Sequence, residues 1–336
     1  MKLSVKGAIR EQLVFGKIDE SVSYVHVGLA GTQNYIPHIG VVLMSIVQYN
    51  PTMHFVFHLF LSDFTKYDAD CFKKFVCRTN SVIKVYVIND KFFSNVVSGM
   101  YTASFFYRFI MPDVVQNDTN QLIYMDGDMM CHGDISVIGN LKLENYVAAV
   151  VSDRDEQKQL KQLQVQRFFN SGMMVINITR WVQENMLEKV FSFSVACMKN
   201  LDSSGRYKAW GNARYNDQNI LNKMLDGRVL WLPKKYNYIY KLNRAAFFRK
   251  AEKNEDYKNQ VILHFAGSVK PWHDWVKEWP VVKEYINVWQ QSPWKDVPMT
   301  SPTSRKDYHQ AGREYRVTGQ YGKALRYYWE YYKRKL

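Results

Sequence analysis

Two aspartates stand two positions apart after a short apolar run, in the stretch QLIYMDGDMMCHGDIS at residues 121–136. In extended chain, residues i and i+2 point to the same side, so Asp126 and Asp128 present their carboxylates together. Adjacent carboxylates repel unless a cation lies between them, and such pairs suit Mg²⁺ or Mn²⁺. Gly127 lets a ligand approach the backbone. The pair predicts a divalent cation site, with a solvated acidic turn as the alternative.

His264 is the candidate for a third ligand, because it ends the apolar run VIL and precedes the loop FAGSVKPW. An imidazole beside carboxylates shifts metal selection from Mg²⁺ toward Mn²⁺. Lys270 follows on the same loop, which Gly267 makes pliable, and its ammonium group could neutralise phosphate charge. A histidine at the rim of the core and a solvated loop lysine are the alternatives.

Three further candidates lie on predicted helices. Asp217 and Gln218 open the stretch YNDQNILNKMLDG, where capping and the helix dipole also favour an aspartate. Arg108 lies within the largely apolar SFFYRFIM, so its guanidinium needs a partner, and an anion or a sugar is one interpretation. The helix around it is predicted over 101–115, with its end marked by Pro112.

The elements that position these residues alternate between strands and helices. Residues 23–88 follow the pattern strand, helix, strand, helix, strand, which is typical of α/β folds with a parallel sheet and crossover helices. Further strands are predicted to deliver Asp126, Asp153, Asn170 and His264. Ligands of open α/β sheets bind outside the carboxyl ends of the strands, so these side chains are expected to converge there.

Length and composition indicate one large α/β domain with an extension, since the 336 residues are 47% hydrophobic. The four cysteines form no CxxC pair, which predicts reduced thiols and a cytosolic chain. The N-terminus is charged throughout, and no apolar run is long enough to span a bilayer. We predict an N-terminal extension over 1–22, a main domain over 23–291, a proline-containing linker over 292–304 and a tail over 305–336.

The net charge of +14 predicts an anionic partner, namely nucleic acid, an acidic membrane surface or a phosphorylated substrate. The tail over 305–336 carries nine Lys/Arg against three Asp/Glu, interleaved with seven Tyr and one Trp. Basic segments with interfacial aromatics lie on anionic membranes, and a packed or solvated terminal helix is the alternative. No RNP, zinc-finger or KH signature is present, so we expect no nucleic-acid partner.

Four motifs together resemble a known family. YMDGDMMCHGDIS, FFNSGMMVIN, YNDQNILN and HFAGSVKPWHDW resemble, in order and spacing, the retaining glycosyltransferases of family 8. The match is strongest with the bacterial lipopolysaccharide core hexosyltransferases, which also have SPWK before a basic, tyrosine-rich tail. The resemblance runs from about Tyr24 to the C-terminus. It implies a single Rossmann-like nucleotide-sugar-binding domain of GT-A type, with a mostly parallel central sheet and a helical basic tail.

The resemblance also implies residue roles. Asp126, Asp128 and His264 resemble the ligands of Mn²⁺ or Mg²⁺, and Gly267 and Lys270 resemble the loop that closes on the diphosphate. The positions that resemble nucleotide contacts are Ala30, Thr32, Asn34 and Tyr35, the last as the ring that stacks on uridine. The positions that resemble those around the donor sugar and its reacting carbon are Arg108, Asp153, Asn170, Asp217 and Gln218.

Two positions depart from the family pattern. Relatives often have Asp where this chain has Thr32, which brings a hydroxyl but no charge to the nucleotide. Relatives usually have DQD where this chain has Asp217, Gln218 and Asn219, and we retain the first two as site residues.

The implied reaction transfers glucose or galactose from UDP-glucose or UDP-galactose to a hexose hydroxyl of the lipopolysaccharide core, with retention. Gln218 is an amide and a poor nucleophile, which favours front-face departure and attack. The resemblance implies a cytoplasmic enzyme, peripheral on the cytoplasmic face of the bacterial inner membrane and held there by its tail. The alternatives are another sugar-nucleotide enzyme, such as a glycogenin-like protein or a nucleotidyltransferase, and a basic nucleic-acid-binding protein.

Overall fold

The structure is a computed structural model that describes residues 4–97, 102–153, 156–207, 213–242 and 256–334. The strands are β1 Ile9–Phe15, β2 Tyr24–Gly31, β3 His54–Leu61, β4 Ser81–Ile88, β5 Gln121–Asp126, β6 Met129–Cys131, β7 Ala148–Ser152, β8 Phe169–Asn177, β9 Arg206–Tyr207, β10 Ala213–Arg214, β11 Val229–Leu232, β12 Tyr238–Ile239 and β13 Ile262–His264. The α-helices are α1 Ile36–Tyr49, α2 Lys66–Val76, α3 Met111–Val115, α4 Ser136–Gly139, α5 Glu156–Leu163, α6 Ile178–Gln183, α7 Met186–Met198, α8 Asp217–Met224, α9 Pro280–Gln291, α10 Arg305–Val317 and α11 Tyr321–Lys333. Short 3₁₀ helices span Val5–Ala8, Gln33–Tyr35, Asp90–Phe93, Ala103–Phe109, Lys234–Tyr236, Asp256–Asn259 and Asp274–Val276.

Within the described ranges, the main sheet has eight strands in the order β1-β4-β3-β2-β5-β8-β7-β11. Strands β4, β3, β2 and β5 pair in parallel, and so do β7 and β11, whereas β1 and β8 run antiparallel to their neighbours. The predicted α/β class with a mostly parallel sheet is confirmed. Because β8 runs in reverse between β5 and β7, its first residues lie at the edge where those two strands end.

The alternation predicted over 23–88 is β2, α1, β3, α2 and β4. Strand β3 is buried along its length except at His54, which is typical of a central strand covered on both faces. Helix α2 begins with a capping box, in which Thr65 and Asp68 satisfy each other's backbone N–H groups. These local signals agree with the pairing found, so this half of the sheet follows directly from the sequence pattern.

The helix predicted over 101–115 is different in the structure. From residue 102 onward, a 3₁₀ helix at Ala103–Phe109 is followed by the short helix α3. Pro112 lies in the first turn of α3 and does not end a helix, so that part of the prediction was wrong. Proline is tolerated in a first turn because its missing N–H would have no partner there.

Two segments outside the predicted main domain pack into it. The predicted N-terminal extension contributes β1, which pairs antiparallel with β4 at the edge of the sheet. In the predicted linker over 292–304, Trp294 is fully buried and donates a hydrogen bond to Asp68 Oδ1 at 3.1 Å. Its ring lies against Gly40 of α1, where any side chain would collide with it. The three prolines of this segment therefore accompany a packed connection.

A small sheet and a helical pair complete the described structure. The small sheet has the order β12-β13-β6, and β13 pairs antiparallel with β6. Helices α10 and α11 pack on each other, and α10 also contacts the 3₁₀ helix at Asp274–Val276. Among the described helices, none has both the length and the apolar character needed to cross a bilayer.

Candidate active site

Three potential metal ligands converge at the carboxyl edge of the sheet. Asp126 ends β5, Asp128 lies in the turn before β6, and the pairing of β13 with β6 sets His264 opposite Met129. One ligand atom from each of the three side chains lies within 4.8 Å of the others. Two carboxylate oxygens and one imidazole nitrogen at this spacing fit a divalent cation such as Mn²⁺ or Mg²⁺.

The charge of Asp128 is balanced by two cationic or polar neighbours. His264 Nε2 lies 3.4 Å from Asp128 Oδ1, and the Lys270 ammonium pairs with Oδ2. Lys270 also donates to the carbonyl of Phe265 at 2.9 Å. Burial alone would raise the pKa of Asp128, but the attraction of His264 and Lys270 outweighs it and holds the pKa well below its usual value. Asp128 is therefore a carboxylate across the physiological range.

Arg108 holds Asp126 from the opposite side. Its Nη2 donates to Asp126 Oδ1 at 2.9 Å, and its Nε lies 3.3 Å from Asp217 Oδ2. Its Nη1 donates to the carbonyl of Ser171 at 2.8 Å, and the guanidinium lies over the ring of Tyr124. Burial raises the pKa of Asp217, while Arg108 opposes that rise. The buried guanidinium of Arg108 is thus paired with two carboxylates of the same chain, Asp126 and Asp217.

A chain of hydrogen bonds fixes the orientation of the His264 ring. The backbone N–H of Gly172 donates to Asn170 Oδ1 at 3.0 Å, which identifies that atom as the oxygen. Asn237 Nδ2 donates to the same oxygen at 3.0 Å, so Asn237 Oδ1 faces His264 Nδ1, also at 3.0 Å. His264 Nδ1 therefore carries a hydrogen, and Nε2 points toward the carboxylates.

Gln218 is held by hydrogen bonds at both ends of its amide. The backbone N–H of Ser171 donates to Gln218 Oε1 at 3.1 Å, and Gln218 Nε2 donates to Asp153 Oδ2, also at 3.1 Å. Asn170 Nδ2 lies 3.3 Å from the same Gln218 oxygen. Asn222, one turn further along α8, donates to the carbonyl of Phe169 and accepts from its N–H, at 2.9 and 2.8 Å. The start of β8 and the start of α8 thus form one hydrogen-bonded unit.

Gly172 permits the close approach of the two halves of the site. A Cβ atom at this position would lie 2.5 Å from His264 Cε1 and 2.9 Å from Asp126 Oδ2. Both distances are below normal contact, and the crowded atoms belong to two proposed metal ligands. A residue with any side chain here would push the ligands apart.

A cavity of about 510 Å³ opens beside the carboxylates. Its lining residues are Ala30, Gly31, Thr32, Tyr35, Thr102, Ser104, Phe105, Arg108, Tyr124, Asp126, Gly127, Asp128, Gly267 and Lys270. Tyr35 is partly exposed, and its ring meets Trp272 edge-on with the centroids 5.6 Å apart. Burial, together with the nearby Asp128 and Asp126, raises the pKa of Tyr35 to about 12, so its hydroxyl stays protonated.

The structure brings together nearly all the residues singled out from the sequence. Of the predicted nucleotide contacts, Ala30, Thr32 and Tyr35 line the cavity with Gly267 and Lys270. The exception is Asn34, whose side chain is exposed in the same turn and is not part of the lining. Asp153, Asn170, Asp217 and Gln218 lie at the neighbouring strand and helix ends. Their individual roles stay predictions.

Sequence reasoning missed several residues of this site, namely Tyr124, Ser171, Gly172, Asn222 and Asn237. Ser171 and Gly172 follow Asn170 directly, so the small pair within a buried strand was a signal available in the sequence. Asn237 stands in KKYNYIY, where an amide between tyrosines suggests a buried polar group that needs partners. Which partners it finds depends on the folded chain alone.

The loop that carries Lys270 rests on the C-terminal helices. Gln310 of α10 donates to Ser268 Oγ at 3.0 Å, and Val269 is buried in an apolar cluster with Ala311. Trp279 Nε1 donates to Glu314 at 2.8 Å, again linking the chain after the loop to α10. One side of this loop therefore faces the carboxylates, and the other faces α10.

Solved structures of other proteins share this architecture. The crystal structure of the galactosyltransferase LgtC in complex with donor and acceptor sugar analogs aligns with a TM-score of 0.64, at 17% identity, over 80% of this chain and 96% of that chain. The apo structure of the bifunctional glycosyltransferase WbbM also aligns with a TM-score of 0.64, at 18% identity, over 84% of this chain and 52% of that chain. The fold is that of the GT-A glycosyltransferases.

Sequence comparison then gives the family. The model of Glycosyl transferase family 8 matches residues 26–276, and the model of its C-terminal part matches residues 279–335. The chain belongs to glycosyl transferase family 8, which confirms the predicted resemblance. A lipopolysaccharide 1,2-glucosyltransferase of Escherichia coli is 27% identical over 87% of this chain and 85% of the relative. A lipopolysaccharide 1,3-galactosyltransferase of Salmonella typhimurium is 27% identical over 90% of this chain and 89% of the relative.

Proposed function

We propose that this glycosyltransferase transfers glucose or galactose from a UDP-sugar to a hexose hydroxyl of a lipopolysaccharide core, with retention and with Mn²⁺ or Mg²⁺ bound. The observation that carries the proposal is the convergence of Asp126, Asp128 and His264 within 4.8 Å beside the cavity. A bound divalent cation supplies charge stabilisation for a diphosphate leaving group. The names of the relatives support the acceptor class and leave glucose and galactose as equal donor candidates.

The diphosphate is proposed to lie between the carboxylates and the Lys270 loop. Lys270 pairs with Asp128 in this structure, and its ammonium is free to turn to phosphate oxygens once Asp128 has another counter-charge. Gly267 has a φ of +112°, a conformation that L-residues with side chains rarely adopt, so it suits a loop that bends over a ligand. The uridine is proposed to lie along Thr32 and Tyr35.

The donor sugar is proposed to lie toward Gln218 and Asp153. Both polar atoms of the Gln218 amide are already engaged, its oxygen by Ser171 N–H and its nitrogen by Asp153. An amide held in this way orients the sugar and offers its oxygen dipole to positive charge at the anomeric carbon. This arrangement supports departure and attack on one face without a covalent glycosyl-enzyme, with the leaving phosphate oxygen taking the acceptor proton.

The C-terminal helices are proposed to hold the enzyme on the cytoplasmic face of the bacterial inner membrane. The membrane-facing stripe of α11 consists of Tyr321, Leu325, Trp329 and Tyr332, each more than 60% exposed. Their spacing places them on one side of the helix, flanked by the basic residues of the tail. An exposed aromatic and aliphatic stripe between cationic side chains suits insertion among anionic head groups.

The test begins with thermal unfolding of the full chain in UDP, in Mn²⁺ and in both. We expect stabilisation by several degrees only with both, because a ligand that binds the folded state raises its stability. Asp128→Asn removes a proposed ligand and should abolish the shift, whereas Asp70→Asn, at an exposed carboxylate of α2, should preserve it. A shift that is the same without Mn²⁺ would contradict the metal assignment.

The second stage is a donor screen with lipopolysaccharide from truncated-core strains. We expect release of UDP from UDP-glucose or UDP-galactose only when the acceptor is present, and an α-linked product by NMR. Release of pyrophosphate, or a β-linked product, would overturn the proposed reaction.

A further inference from the structure

Three exposed cationic side chains lie on segments that meet the edge of the sheet where the active site lies. Arg167 precedes β8, and Lys234 and Lys235 follow β11, and all three are exposed. Trp231, partly exposed near the end of β11, contacts Arg167 and precedes the two lysines in the chain. We refer to Arg167, Trp231, Lys234 and Lys235 as the basic edge patch.

The guanidinium of Arg167 lies over the indole of Trp231, with its central carbon 3.7 Å from the ring centroid. Phe169 also contacts Trp231, edge-on, with the ring centroids 6.5 Å apart. Stacking of this kind holds the guanidinium in one plane while its N–H donors at the edge remain available. A planar fork of donors suits two oxygens of one anionic group.

The cations of the patch have no carboxylate partner among the residues that the structure describes. By contrast, the buried cations Arg108 and Lys270 are both paired. Asp226 lies close to this segment, but it accepts the backbone N–H of Gln166 at 3.0 Å. Cations without an ion-pair partner create a positive potential that attracts an anionic ligand.

The basic edge patch lies near the part of the site where the donor sugar is proposed to bind. Asn170 follows Arg167 by three residues and Asn237 follows Lys235 by two, and the two asparagine side chains bond to each other at 3.0 Å. Asn170 also lies 3.3 Å from the Gln218 oxygen. The patch therefore adjoins the Gln218 side of the site, whereas the diphosphate is assigned to the Lys270 side.

We infer that the basic edge patch binds a negatively charged group, phosphate or carboxylate, on the acceptor saccharide. The inference rests on the proposed transferase function and adds to it the charge of the acceptor. The patch lies next to the position assigned to the sugar that is transferred, so its ligand belongs to the molecule that receives that sugar.

The experiment compares the wild type with the double variant Lys234→Glu/Lys235→Glu and with Arg167→Gln. The control is Lys73→Glu/Lys74→Glu, the same charge change at two exposed lysines of α2, near the opposite end of the sheet. The acceptor is a core oligosaccharide from a truncated-core strain, used intact, after phosphatase treatment and after carboxyl reduction. These arms separate a phosphate ligand from a carboxylate ligand.

We expect the KM for the intact acceptor to rise about tenfold in Lys234→Glu/Lys235→Glu and less in Arg167→Gln. The control should leave it unchanged, and the donor KM should stay constant in all variants. The treatment that removes the recognised group should raise the KM of the wild type and abolish the difference between it and the variants. The wild-type KM for intact acceptor should also rise with ionic strength more steeply than that of the variants.

Two outcomes would overturn the inference: patch variants that leave the acceptor KM unchanged, or variants whose loss is the same on treated and intact acceptors. Stabilisation by UDP and Mn²⁺ verifies that each variant is folded. If the double variant does not fold, Arg167→Gln alone serves as the test. If the wild type transfers no hexose to any of these acceptors, the proposed function itself has failed. Transfer that does not depend on the charge of the acceptor would overturn only the inferred role of the basic edge patch.

Discussion

Asn237 Oδ1 accepts a hydrogen bond from His264 Nδ1 at 3.0 Å, across 27 residues of chain. The same asparagine donates to Asn170, so its amide cannot turn over without losing both bonds. The ring nitrogen directed at Asp128 is consequently always Nε2. A partner of this kind fixes the tautomer of a ligating histidine and increases its basicity.

Replacement of Asn237 by alanine should weaken the proposed metal site without removing a ligand. We expect the apparent affinity for Mn²⁺ to fall by about 10- to 100-fold, because His264 loses its orientation. The measurement is a Mn²⁺ titration of the thermal shift at constant UDP. Asn287→Ala, at an exposed position of α9, is the matched control. An Asn237 variant that titrates like the wild type would show that the hydrogen bond has no part in metal binding.

Gly172→Ala should reduce activity although it removes none of the proposed metal ligands. The added methyl group would crowd His264 and Asp126, so we expect a fall in kcat/KM of at least about 100-fold, which corresponds to roughly 3 kcal/mol. Gly322→Ala adds the same methyl group in α11, where no atom of the described residues lies within 4 Å of it, and should leave activity unchanged. Full activity in Gly172→Ala would mean that the ligands tolerate displacement.

Asn237 and Gly172 mark the limit of what the sequence could predict about the site. The carboxylate pair and His264 were predictable because each follows an apolar run, and strand ends of a parallel sheet meet at one edge. Asn237 and Gly172 were not, because their importance arises from side chains that are distant in sequence. The strand pattern predicts which residues lie at the end of a strand. It does not predict which distant side chain will hydrogen-bond to them.

Gln218→Ala should leave measurable transfer if the amide only orients the sugar and stabilises charge. We expect kcat to fall about 10²- to 10³-fold, the usual loss for one preorganised dipole, and the product to keep its α configuration. Mass spectrometry of the wild type with donor alone should reveal no glycosylated protein. A trapped glycosyl-enzyme at Gln218, together with complete loss of transfer in the variant, would instead establish a two-step route.

The contact between Gln310 and Ser268 predicts two separable roles for the C-terminal helices. Gln310→Ala should raise the donor KM about 3- to 10-fold, as loss of one hydrogen bond allows, with vesicle binding intact. Leu325→Ser/Trp329→Ser should reduce sedimentation with anionic vesicles and leave the donor KM unchanged on a water-soluble acceptor. The two variants control each other. If each changed both measurements, the roles would not be separable.

Glu314 predicts a pH dependence of stability. Its burial raises the pKa to about 7 from an ordinary 4.5, partly opposed by the hydrogen bond from Trp279. A raised pKa means that the folded state favours the neutral acid, so this stabilisation is complete below pH 4.5 and is lost as the pH rises through 7. We expect Glu314→Gln to be more stable than the wild type by roughly 1–3 kcal/mol at pH 8.5, and to lose that advantage at low pH.

The readout for Glu314 is the difference between the unfolding free energies of the two proteins from pH 5 to 9. Burial lowers the pKa of His38 to about 3 and that of His273 to about 4, so these histidines favour folding at higher pH. They are present in both proteins, and their contribution cancels in the difference. A difference that does not vary with pH would show that Glu314 ionises normally.

Two segments at the predicted domain boundaries make contacts that composition alone does not predict. Residues 1–22 precede the first predicted strand, and residues 292–304 were predicted as a linker because of their prolines and Ser/Thr. Strand β1 and Trp294 pack into the domain all the same, because each finds an apolar partner that is distant in sequence. The residues around Trp294 form a turn, as the prolines predict, and this turn places the indole in the core.

The contact of α10 with the Lys270 loop also limits how members of this family can be recombined. The two family segments meet between residues 276 and 279, in the middle of a joint formed by Trp275, Trp279 and Glu314. A hybrid enzyme joined at that point would combine the Lys270 loop of one parent with the α10 helix of the other. A hybrid that exchanges the C-terminal helices should therefore take the Lys270 loop and α10 from the same parent.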